Sequence, residues 1–168
     1  MSNSLRNDPA FLEALALHHD DLVRFARSLT RSRDDAQDLV AETILKALES
    51  WHTVRDTGAF RVYVFRIAHR LYMRQQLRRR LFHPWPEDYD TTSSDPLPDV
   101  MTDATLIREA MQKLPARHRE CLIMVDLLGW SLAEVVEVHG GTIGGLKARL
   151  FRAREALKNA ITGGHDDH

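Results

Sequence analysis

The sequence predicts an all-α protein of two small helical domains joined by a flexible linker, the second containing a helix-turn-helix. Three observations carry this. Apolar residues recur at three- and four-residue steps along most of the chain, and no segment shows the alternation of a strand. A proline-rich acidic stretch, HPWPEDYDTTSSDPLPD, interrupts the pattern near the middle. Charge also divides there: fourteen Lys/Arg face ten Asp/Glu through Trp85, six acids and no base lie between Pro86 and Asp103, and nine bases face eight acids in the remainder. The expected domains are 8–84 and 103–162, with the linker at 85–102.

The elements follow in order. Leu12, Leu15, Leu22, Phe25, Ala26 and Leu29 give a first helix over 10–30. Ser32 is placed to cap a second, with Asp34 and Asp35 in its first turn, where the helix dipole favours negative charge. That helix carries Ala36, Leu39, Val40, Ile44, Ala47, Leu48 and Trp51 on one face and Asp35, Asp38 and Glu42 on the other. After Gly58, a third long helix is expected from Phe60 to about Phe82. Its segment FRVYVFRIAHRLYMRQQLRRR holds seven arginines and no acid in a chain whose formal net charge is −1. Beyond the linker, helices are expected over 103–113, 115–128, 131–139 and 142–160. Pro115 suits a first helical position, Ser131 and Glu134 a capping box, and Gly140-Gly141 a tight turn.

Arg66, Arg70, Arg74 and Arg78 fall at steps of four along one side of the third helix, with Arg79 and Arg80 extending the charge. Phe60, Val64, Ile67, Ala68 and Leu71 form its packed face, with Tyr63, His69 and Tyr72 near the edge. Guanidinium groups neutralise phosphates and exposed rings stack on unpaired bases, so the segment favours nucleic acid over a solvated structural helix. The pair SLAEVVEVH and TIGGLKARLFRAREAL, joined by two glycines, reads as a helix-turn-helix or as a plain αα-hairpin. In the first reading, Gly144 and Gly145 would let phosphate approach the amides that open the last helix.

The composition argues against other classes. There is no phosphate-cradling glycine loop, HExxH or nucleophile elbow, and no histidine shares a metal-like spacing with the single cysteine, Cys121. No cofactor, metal or catalytic residue is expected, and Cys121 in the run CLIMV reads as a buried, inert thiol. No signal peptide and no membrane-spanning run is visible, so a cytoplasmic location without membrane insertion is expected.

Three segments together resemble the extracytoplasmic-function (ECF) sigma factors of bacterial RNA polymerase, over about Asp20 to Asn159. DDAQDLVAETILKALESW is similar to the helix that grips the polymerase clamp. FRVYVFRIAHRLYMRQQLRRR is similar to the segment that recognises and melts the minus-ten element. LPARHRECLIMVDLLGWSLAEVVEVHGGTIGGLKARLFRAREAL is similar to the domain that reads the minus-thirty-five element. The resemblance implies polymerase contacts at Asp35, Asp38, Leu39 and Glu42. It implies DNA contacts at Arg66, Arg70, Arg74, Arg78, Arg79 and Arg80, with Tyr63 and Tyr72 as stacking rings, and at Lys147, Arg149 and Arg152. Promoter DNA, the polymerase core and an anti-sigma factor are the implied partners. The chain departs from the family's usual residues at Val136 (alanine), His139 (leucine), Thr142 (proline) and Gly145 (threonine). A sigma-like decoy that titrates an anti-sigma factor without initiating transcription is the alternative function. The arginine row favours the initiation factor, because a decoy has no use for strand-opening chemistry.

Overall fold

The computed structural model describes residues 8–82 and 102–163, and the chain divides into two compact units. The expected linker lies outside the described residues, except for Thr102. All regular structure among the described residues is helical.

The first unit consists of α1 (Pro9–Leu29), α2 (Arg33–Glu49) and α3 (Phe60–Phe82), with 3-10 turns at Trp51–Thr53 and Thr57–Ala59. Two caps set its corners. Asp8 accepts a hydrogen bond from the Ala10 amide at 2.9 Å. Its other carboxylate oxygen takes the Trp51 indole N–H at 2.8 Å, tying the start of α1 to the end of α2. Ser32 accepts from the Asp35 amide at 3.0 Å, as the sequence indicates. The core between these corners is aromatic. Phe11, Trp51 and Phe60 meet edge to face, with centroids 5.4, 5.8 and 5.5 Å apart, and Phe25 meets Phe65 at 5.2 Å.

α3 packs on both α1 and α2, so its buried arc is wide. Phe60, Val64, Phe65, Ala68, His69, Leu71 and Tyr72 are all buried. Ile67, expected in the packed face, is only half-buried. The Tyr72 hydroxyl donates to the Leu29 carbonyl at 3.4 Å.

The second unit consists of α4 (Asp103–Gln112), α5 (Ala116–Leu122), α6 (Leu132–His139) and α7 (Ile143–Gly163). Thr102 caps α4 by accepting from the Thr105 amide at 3.3 Å. α7 packs on α4 and α5 through Leu146, Leu150 and Ala153. The helix expected over 115–128 is shorter and differently built. Pro115 is its N-cap rather than its first helical residue, and α geometry ends at Leu122. A π-helical turn, Ile123–Leu127, follows, with the Leu128 amide donating to the Ile123 carbonyl at 2.9 Å. Gly129 then turns the chain at φ 73°.

Arg119 is buried, a placement its charge does not announce. It donates to the carbonyls of Met111, Gln112 and Leu114 at 3.0, 3.2 and 2.9 Å, satisfying acceptors that the end of α4 leaves open. Cys121 is buried, and desolvation pushes its thiol up to about 11, which keeps it protonated and unreactive.

Candidate nucleic-acid interface

The structure sorts the α3 residues by exposure. Arg70, Arg74, Arg78, Arg79 and Arg80 are exposed, and Arg66 is half-buried. Neither tyrosine is fully exposed. Tyr72 is 1% exposed and belongs to the core, so the expectation that it stacks on DNA is corrected. Tyr63 is half-buried, with its hydroxyl against Ser50 Oγ and donating to the Ala47 carbonyl at 3.1 Å. It fastens α3 to the end of α2.

On α2, Asp38 and Glu42 are exposed and Asp35 is half-buried. Leu39 is fully buried and accepts the Thr43 hydroxyl at its carbonyl. It cannot offer a side chain to a partner, which corrects its expected role. The hydrophobic side chain on the outer face is Leu45, 52% exposed, one helical turn beyond Glu42. Its spacing from Asp38 and Glu42 is the signal that could have found it.

The acidic and basic sets meet. Arg79 donates to Asp35 Oδ2 at 3.0 Å, with both side chains partly exposed. Around this pair, Asp35, Asp38, Gln75, Arg78 and Arg79 line an open cleft of about 180 Å³ between α2 and α3.

In the second unit, Gly140 and Gly141 form the turn at φ 81° and 87°, values that any side chain would strain. Ser131 accepts from the Glu134 amide at 3.2 Å at the start of α6. On α7, Lys147 and Arg152 are exposed and Arg149 is half-buried. Arg154 is committed elsewhere, forking onto both oxygens of Asp126 at 2.7 and 3.1 Å and pinning the π turn to α7.

Two of the sequence departures prove to be one feature. Thr142 accepts the Gly145 amide at 3.0 Å on its side-chain oxygen and the Leu146 amide at 3.0 Å on its carbonyl, so it caps α7. A β-carbon at position 145 would lie 3.2 Å from that Thr142 oxygen. The Gly145 amide is therefore already occupied, which corrects its expected availability to phosphate. The other two departures, Val136 and His139, are both half-buried, while Val135 and Val138 fill the core.

His118, half-buried on α5, keeps Nδ1 out of solvent with no hydrogen-bond partner among the described residues. Burial first, then the charges of Arg149 and Arg152, hold its pKa below the ordinary 6.5. Burial and Arg61 do the same to His18 in the first unit, opposed by Asp21. Both folded values lie below the unfolded one, so below about pH 6.5 the unfolded chain binds protons that the folded chain refuses. Stability should therefore fall as pH drops through 6.5 and level off below the folded values. Thermal midpoints of the His18→Gln/His118→Gln protein should decline less over that interval than those of the parent.

The described residues thus form two helical bodies, one with an exposed arginine row and one with a glycine-turned helix pair. Residues 15–81 match the Sigma-70 region 2 family and residues 104–157 the Sigma-70 region 4 family. The chain is 32% identical to the ECF RNA polymerase sigma factor EcfG of Rhodopseudomonas palustris, covering 94% of this chain and 84% of that protein. It is 29% identical to the ECF RNA polymerase sigma factor SigE of Mycolicibacterium smegmatis, covering 91% of this chain but only 62% of that longer protein. Among solved structures it is similar to the sigma factor RpoE of Bartonella quintana, crystallised with the anti-sigma factor NepR. The TM-score there is 0.72 at 26% identity, over 94% of this chain and 98% of that one. The chain belongs to the ECF sigma factor family.

Proposed function

We propose that this protein directs RNA polymerase to a small set of promoters through three surfaces. Asp38, Glu42 and Leu45 on the outer face of α2 engage the clamp of the core enzyme. Arg70, Arg74, Arg78, Arg79 and Arg80 hold promoter phosphates or the non-template strand along α3. Lys147, Arg149 and Arg152 approach the minus-thirty-five element from α7. The observation that carries this reading is the exposed arginine row of α3, lying within the segment that matches region 2. Control by an anti-sigma factor is part of the proposal, motivated by the complex in which the Bartonella relative was solved. A cytoplasmic site of action belongs to the same proposal. No described helix is long and apolar enough to cross a membrane. It acts as an initiation factor rather than a catalyst.

Run-off transcription with purified core polymerase on genomic promoter fragments tests the reading. Specific transcripts that require this protein support it, whereas tight anti-sigma binding without any transcript supports the decoy. A narrower test addresses the α2 surface. Asp38→Arg with Glu42→Arg should weaken core binding about tenfold or more by charge reversal, with little loss of stability because both side chains are exposed. Unchanged core affinity of the folded double variant would remove these residues from the interface.

A further inference from the structure

We propose that the Asp35–Arg79 pair is an autoinhibitory contact that couples polymerase binding to DNA binding. The inference rests on the functional reading above and deepens it. Arg79 belongs to the DNA-facing arginines, yet in the free protein its guanidinium is bonded to Asp35 at 3.0 Å, on the helix that carries the polymerase-facing acids. Asp38 lines the same cleft and forms no ion pair among the described residues, while Gln75 and Arg78 complete the lining. A cationic side chain of the polymerase drawn to Asp38 meets Asp35 in the same cleft. There it competes with Arg79 for the carboxylate, and the released guanidinium becomes available to phosphate. DNA bound by Arg79 conversely leaves Asp35 free to receive that cation. The coupling is reciprocal, as any linkage between two binding events must be. Its size is bounded by the strength of a partly exposed ion pair, about two- to fivefold in affinity.

The test measures binding of the full-length free protein to a short fluorescent duplex at low salt, where phosphate contacts dominate. Asp35→Asn should tighten binding about two- to fivefold. The control is Asp34→Asn, which removes the same charge from the same helical turn. Asp34 is exposed and does not line the cleft, so its change should tighten binding less than 1.5-fold, roughly the effect of net charge alone. The combined Asp35→Asn/Arg79→Ala protein should bind like Arg79→Ala alone. Assembled with core polymerase, the Asp35→Asn and parent proteins should bind the duplex equally, because the pair is already broken. Equal effects of Asp34→Asn and Asp35→Asn overturn the proposal, as does an Asp35→Asn gain that survives loss of Arg79. Both failures leave the run-off result untouched, so the latch can fall while the functional reading stands.

Discussion

Promoter binding by a protein carrying Arg74→Ala, Arg78→Ala and Arg79→Ala should weaken by roughly a hundredfold, since each lost charged phosphate contact contributes on the order of 1 kcal/mol or more. The slope of log affinity against log salt should become shallower by about two to three units. All three side chains are exposed, so thermal stability should change little, and the loss should be similar on promoter and unrelated duplexes because phosphates carry no sequence. Titration of the holoenzyme at several salt concentrations supplies both numbers. A parental slope in the triple variant would mean that α3 does not face the phosphate backbone.

Phe60→Ala should have the largest effect on folding. The ring is fully buried, touches Phe11 and Trp51 edge to face, and lies near Tyr63 and His18. Truncating a buried phenylalanine costs about 3–5 kcal/mol, much of what a domain of this size has to lose. Urea titration should show the first unit unfolding at much lower denaturant while the second is little changed. Tyr72→Ala should behave in the same way, for its ring is part of the same core. A transcription defect in that variant should therefore persist on a pre-opened template. Rescue there would instead return Tyr72 to a strand-opening role.

The helical architecture was legible in the sequence because its punctuation is local. Ser32 caps α2 through its own side chain, and Gly140-Gly141 takes the positive φ values that glycine accepts without strain. The errors arise where tertiary packing decides. α3 is covered by two helices, so its buried arc takes in Phe65, His69 and Tyr72 as well as Phe60, Val64, Ala68 and Leu71. A one-sided reading of the helical wheel leaves such rings at the edge. Leu39 has the spacing of a core residue and only the resemblance points it to the surface, where Leu45 lies instead. Arg119 looks like solvent-facing charge until the carbonyls it satisfies are seen. The π turn after Leu122 depends on carbonyl and amide pairings that no periodicity in CLIMVDLL reveals.

The Thr142 cap has a consequence for grafting. A β-carbon at position 145 would lie 3.2 Å from the Thr142 hydroxyl oxygen, so a side chain there requires that oxygen, and with it the cap on the Gly145 amide, to shift by a few tenths of an ångström. For the same reason, a recognition helix transplanted from a relative to reprogramme promoter choice has to bring its own residue 142 with it. A graft cut at Ile143 would crowd the capping hydroxyl of Thr142 against whatever side chain arrives at position 145.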